Sequence, residues 1–224
     1  MDNPKSARVT LFCGHYGSGK TNVAVNYALW LRSAGNEVCV ADLDIVNPYF
    51  RTKDSRSAFE QAGIRLICSD YANTNVDIPA LPADLYTVTD DRSRKAVLDI
   101  GGDERGALAL GRLSPAILAE NDYAMWMVVN CFRPLTRDVK STIEVMREIE
   151  DACGIPFTAL VNNSNLGDET TAGDILDSLN YAEQVSTLTG LPIAATTVEQ
   201  SLYPVLKDDV PNLFPLKLQE KYYR

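Results

Sequence analysis

Val9-Thr10-Leu11-Phe12-Cys13 runs directly into Gly14-His15-Tyr16-Gly17-Ser18-Gly19-Lys20-Thr21, and Asn22-Val23-Ala24-Val25 follows. Five apolar or β-branched residues predict a buried strand. The next eight match G-x-x-x-x-G-K-[ST], and the residues from Thr21 to Ala34 carry Ala24, Ala28 and Leu31 on one helical face before stopping at Gly35. Strand, glycine-rich loop and helix N-terminus together make a phosphate cradle. The glycines let backbone N–H groups converge on anionic oxygens, and the helix end adds partial positive charge. Lys20 is the expected bridge to the β- and γ-phosphates, and the Thr21 hydroxyl the expected Mg²⁺ ligand. Gly14, His15, Tyr16, Gly17, Ser18, Gly19, Lys20, Thr21 and Asn22 are therefore the candidate nucleotide-binding residues.

Outward from this loop, short β-branched runs alternate with segments of helical period, the pattern of a parallel sheet with crossover helices. Strands are expected at about Val9–Cys13, Val38–Ala41, Ile64–Cys68, Ala96–Ile100, Ala124–Asn130, Phe157–Asn162 and Ile193–Thr196. Helical stripes are expected at Arg137–Ala152 (Val139, Ile143, Met146, Ile149) and Gly173–Thr189 (Ile175, Leu179, Ala182, Val185, Leu188). The expectation is one domain over residues 1–224: a three-layer α/β fold whose mostly parallel sheet has about seven strands, with helices on both faces. Ser69–Arg94, rich in Asp, Asn and Thr, interrupts the rhythm and is expected to carry a short helix near Ala83–Tyr86. The proline-bearing tail from Val198 is expected to wrap the domain and end in a short helix.

The formal net charge of −9, without a basic run, argues against a nucleic-acid surface. The five cysteines contain no C-x-x-C, and Cys13, Cys39 and Cys68 fall in apolar runs, as reduced core thiols do. The polar N-terminus and the short apolar run Ala124–Val129 give no sign of a signal peptide or membrane span, so a soluble cytoplasmic protein is expected.

Two further acidic motifs follow apolar strands: Ala41-Asp42-Leu43-Asp44 and Val97-Leu98-Asp99-Ile100-Gly101-Gly102. A carboxylate at a strand end beside the phosphate loop suits Mg²⁺ held through water, which fits Asp99. Gly102, three residues on, lets the backbone follow a γ-phosphate. With this order of motifs, the chain from Val9 to Pro204 resembles the CobQ/CobB/MinD/ParA group of P-loop proteins, in the class that also holds the nitrogenase iron protein and signal-recognition GTPases. The resemblance implies that Asp44 positions or activates the attacking water, and that Asp42 serves Mg²⁺ in its outer shell. It also implies ATP and Mg²⁺ as ligands, a protein partner under nucleotide control, and a homodimer. His15 stands where many members carry a second lysine, which puts the dimer's trans-acting mechanism in question.

The sixth strand ends Val161-Asn162-Asn163-Ser164-Asn165, where related GTPases place N-K-x-D. Lacking the carboxylate that selects guanine, the chain is expected to prefer ATP, with Asn162 as the base contact. Asn47–Arg56 and Gly101–Arg105 are the expected switch segments. The functions in view are an ATPase switch acting on a partner, an ATP-dependent small-molecule ligase or kinase, and a non-hydrolysing nucleotide sensor.

Overall fold

The structure, a computed structural model, describes residues 6–43, 55–68, 83–102, 106 and 110–218. Its centre is one eight-stranded sheet of order β3-β2-β4-β1-β5-β6-β7-β8 with every pairing parallel. The strands are β1 (Val9–Cys13), β2 (Val38–Leu43), β3 (Arg65–Cys68), β4 (Lys95–Ile100), β5 (Tyr123–Val129), β6 (Ala159–Asn162), β7 (Ile193–Glu199) and β8 (Leu213–Leu216). The helices are α1 (Lys20–Ser33), α2 (Arg56–Ala62), α3 (Thr87–Asp90), α4 (Ser114–Glu120), α5 (Val139–Cys153), α6 (Ala172–Thr189) and α7 (Tyr203–Leu206).

Side-chain alternation divides the buried strands between two faces. Val9, Leu11 and Cys13 join Leu98, Ile100, Met125, Met127 and Val129 on one face, packed with Met146 and Cys153 of α5 and Val185 of α6. Phe12, Val40, Val97, Val128 and Val161 occupy the other, under Ala24, Ala28 and Leu31 of α1 and Phe59 of α2. That is a three-layer α/β fold, and it explains why the central strands read as continuous apolar runs. On the α1 face, Phe12, Tyr27 and Trp126 meet edge-on with centroids 5.1 to 5.5 Å apart. Such pairs add about 0.5–1.5 kcal/mol each beyond area burial. They seat α1 on β1 and β5 and so fix where the loop between β1 and α1 stands.

The sheet has one strand more than expected. Pro215 concealed β8, because proline cannot donate to a ladder. At the two ends of this ladder Thr196 N–H donates to Asn212 O at 3.1 Å and Gln200 N–H to Leu216 O at 2.9 Å. Pro215 pairs with Val198 without having to give a proton. Two smaller corrections concern the helices. Leu188, expected inside, is 70% exposed near the end of α6, and the buried Ser178 turns inward from the same helix. The expected short helix at Ala83–Tyr86 is a 3-10 turn that continues into α3. Ser69–Pro82 and the last six residues, which end the tail expected to finish in a short helix, lie outside the described residues.

All strands being parallel, the loops after β1, β2, β4, β5 and β6 emerge at one edge of the sheet. β1 pairs with β4 on one side and β5 on the other, so successive connections diverge from it and open a crevice at its carboxyl end.

Candidate phosphate site

The loop Gly14–Gly19 fills that crevice. Ser18 N–H donates to His15 O at 3.1 Å, and Val23 N–H donates to Gly19 O at 3.2 Å, so the loop turns directly into α1. Gly19 caps the helix with φ 87°, and a Cβ there would fall 2.2 Å from Asn163 Nδ2. Only glycine satisfies both demands. Lys20 and Thr21 are 4% and 5% exposed at the base of the loop, and Lys20 Nζ reaches His15 O at 3.4 Å. Ser18 Oγ is buried and has no hydrogen-bond partner among the described residues. A lysine with one long contact beside an unsatisfied hydroxyl is a donor set that fits a polyphosphate, because buried polar groups ordinarily find partners. His15 keeps its ring nitrogen Nδ1 3.0 Å from Tyr16 O, while the Tyr16 side chain is exposed. Asn22 lies half-buried in the first turn of α1, where its backbone O accepts from Asn26 Nδ2 at 2.8 Å.

The acidic residues of β2 and β4 arrive on the same face. Asp42 is in register with Asp99, and Asp99 in turn with Phe12, so all three project toward the layer that holds α1. Asp99 is fully buried and Asp42 half-buried. Gly102 lies against the loop itself: a Cβ there would stand 2.8 Å from Tyr16 N and 2.9 Å from Gly14 O. The segment after β4 therefore touches the phosphate loop backbone to backbone. Asp44 lies outside the described residues, as do Asn47–Asp54 and Asp103–Arg105 of the expected switches.

Asn162 does not take the place expected of it. It is 1% exposed, its Nδ2 donates to Ser178 Oγ of α6 at 2.9 Å, and its Oδ1 accepts from Ser164 Oγ at 2.7 Å. Its amide serves the loop's internal bonding and faces away from the phosphate loop. The reason is alternation. Val161 faces α1, so the residue two further on, Asn163, faces it as well. Asn163 Nδ2 donates to Ser18 O at 2.6 Å, and Thr197 Oγ1 donates to Asn163 Oδ1 at 2.5 Å. Strand alternation within Leu160–Asn163 was the signal that separates the two amides.

Arg133 was not singled out in the sequence. It comes from the loop after β5 and lies against Gly17. That loop is stitched to the one after β6: Asn130 Nδ2 donates to Asn165 O at 3.1 Å, and Cys131 N–H to Ser164 Oγ at 3.1 Å. On the opposite face of the sheet, beneath Gly14, a cavity of ≈ 240 Å³ is lined by Cys13, Gly101, Gly102, Glu148, Ile149 and Cys153 among others. Burial pushes the thiols of Cys13 and Cys153 up, so both stay protonated. No helix among the described residues is long and apolar enough to cross a membrane.

No protein-family model matches the chain, and no curated protein matches it. Among solved structures it is similar to the cell-division protein FtsY of Thermotoga maritima, with TM-score 0.60 and 15% identity over 87% of this chain and 63% of that one. It is similar also to the 54 kDa signal recognition particle protein of Aeropyrum pernix in complex with GDP, with TM-score 0.54 and 17% identity over 87% of this chain and 42% of that one. Chloroplast FtsY of Physcomitrella patens aligns with TM-score 0.54 and 15% identity, over 87% of this chain and 59% of that one. The chain thus spans less than two thirds of the length of these structures. These neighbours are signal-recognition proteins and not members of the CobQ/CobB/MinD/ParA group, so the likeness stops at the broader class: the chain has the fold of a P-loop NTPase.

Proposed function

We propose that the chain is a Mg²⁺-dependent nucleoside-triphosphatase that prefers ATP and acts as a nucleotide-controlled switch on a protein partner, in the manner that the order of its motifs implied for a MinD/ParA-like protein. The observation that carries this reading is the convergence of buried Lys20 and Thr21 with Asp42 and Asp99 at one end of one sheet face. Thr21, Asp42 and Asp99 are the residues suited to hold Mg²⁺, directly or through water. When bound, the ion would neutralise charge on the β- and γ-phosphates. Lys20 and the loop N–H groups orient the polyphosphate, and Gly102 passes its position to the segment after β4. Asp44, two residues beyond Asp42, is assigned the orientation of the attacking water.

The choice of ATP rests on the loop after β6. Asn163-Ser164-Asn165-Leu166 carries no carboxylate to accept from guanine. The signal-recognition relative from Aeropyrum was solved with GDP, so the base is the first thing to measure. Equilibrium binding of ATP and GTP with Mg²⁺ should favour ATP, and a reversed order would overturn that part of the reading. Lys20→Ala should weaken triphosphate binding by about 10–100-fold, the worth of a charge-assisted bond. Asp44→Ala should retain binding and lose turnover. If it hydrolyses at the wild-type rate, the catalytic assignment is wrong. ATP-loaded Asp44→Ala used as bait, against Lys20→Ala, then asks whether a partner or a second copy is held only in the triphosphate state.

The cavity beneath Gly14 favours one second reading, an ATP-dependent ligase or kinase for a small molecule, because it places an apolar pocket beside the loop. Turnover that is negligible alone and rises with added metabolite pools would select it.

A further inference from the structure

We infer that Arg133 is a nucleotide-binding residue: its guanidinium, delivered by the loop after β5, engages the polyphosphate held by the loop Gly14–Gly19. The inference rests on the nucleotide reading above and adds a residue to that site. A Cβ at Gly17 would stand 3.7 Å from Arg133 Nε, 3.8 Å from Cδ and 4.0 Å from Cζ, so the guanidinium lies across the middle of the phosphate loop. Gly17 and Arg133 are both exposed, and the guanidinium makes no hydrogen bond or ion pair among the described residues. A permanent cation with open donors therefore rests on the loop already built to receive an anion.

The placement is not that of a freely swinging surface side chain. Asn130, 1% exposed, accepts from Phe132 N–H at 3.0 Å through Oδ1, and Arg133 N–H donates to Asn130 O at 3.1 Å. Thr136 N–H closes on Arg133 O at 3.1 Å, and Thr136 Oγ1 donates to Asn130 O at 2.8 Å. Pro134 restricts Arg133 to extended backbone, observed at φ −102° and ψ 139°. Through Asn130 Nδ2 and Cys131 N–H the same turn is fastened to the loop after β6, which also holds Ser18 through Asn163. Three loops are thus locked together, and Arg133 is the cation that the assembly points at Gly17. A guanidinium suits this task because its planar fork gives paired bonds to phosphate oxygens.

The test is calorimetric titration of wild type, Arg133→Gln and Arg133→Lys with ATP, ADP and adenosine in the presence of Mg²⁺, together with melting of each protein without nucleotide. Arg133→Gln should bind ATP and ADP about tenfold or more weakly. Adenosine affinity and the nucleotide-free melting temperature should not change, because the lost group meets only phosphate. Arg133→Lys should recover part of the loss, since charge returns without the fork. Undiminished ATP and ADP affinity in Arg133→Gln would overturn the inference. So would an equal loss for adenosine, or a fall in nucleotide-free melting temperature, either of which would make Arg133 a structural brace. Failure of the wild type to bind any of the three would overturn the nucleotide reading itself, a result distinct from a wild type that binds and a variant that matches it.

Discussion

Asn163 holds Ser18 O through Nδ2 and takes the Thr197 hydroxyl on Oδ1, so one buried amide spans the phosphate loop, β6 and β7. Its neighbour Asn162 holds Ser178 and Ser164 on the other face. Removing the amide at 163 would leave Ser18 O and Thr197 Oγ1 to find other partners in a buried setting, a cost of about 1–3 kcal/mol. In a protein of this size that lowers the melting temperature by roughly 2–12 °C. Asn163→Ala should therefore melt early and also bind nucleotide more weakly, because Ser18 loses its anchor. Melts with and without ATP separate the two effects. A variant as stable as wild type with full affinity would remove Asn163 from the site.

Capping explains why some elements could be read from the chain and others could not. α6 begins at Thr171, whose hydroxyl accepts from Asp174 N–H while the Asp174 carboxylate accepts from Thr171 N–H and hydroxyl, and it ends at Gly190 in the left-handed region. Those signals lie within four residues of each boundary, and the apolar stripe from Ile175 to Val185 and the phosphate loop are equally local, which is why the helix and the loop could be read from the sequence. β8 depends on which strand lies beside it, and Arg133 and Asn163 on which loops the sheet order brings together. No spacing along the chain encodes those neighbours. Hydrogen bonds from the Thr171 hydroxyl and backbone hold the Asp174 carboxyl below its ordinary value. A folded value that is depressed adds stability above the unfolded carboxyl's range, and the gain is lost as pH falls through the folded value. Asp174→Ala should thus melt below wild type at neutral pH, and the two melting curves should converge as the pH is lowered through the carboxylate range. A gap that is constant with pH would assign the effect to helix propensity alone. Thr171→Ala, which removes the N-cap itself, should cost about 0.5–2 kcal/mol.

At the scale of the molecule, the strand that ends in the phosphate loop is pinned at its other end by a buried ion pair. Arg8, just before β1, bonds Glu120 at the end of α4 with both side chains under a tenth exposed, and its Nη1 also donates to Val88 O of α3 at 2.9 Å. Such a pair is weak evidence for net stability, because desolvation offsets attraction, yet breaking one side is costly. Glu120→Ala should lose about 3–5 kcal/mol, or roughly 6–20 °C in melting temperature, because the Arg8 charge is left buried with only backbone oxygens. Arg8→Met combined with Glu120→Leu should recover most of that loss, since no charge then remains to solvate. A single variant that melts with wild type would show that water reaches Arg8. The pair lies at the opposite edge of the sheet from the loops that form the site, so the two are separable by ligand. Bound nucleotide stabilises by the logarithm of its saturation, about 2.7 kcal/mol at a hundred times its Kd. If the ion pair only fastens β1, ATP should raise the melting temperature of wild type and Glu120→Ala by similar increments. A smaller increment in the variant would mean that the anchoring of β1 reaches the phosphate loop, and that the strand transmits between the two ends of the sheet.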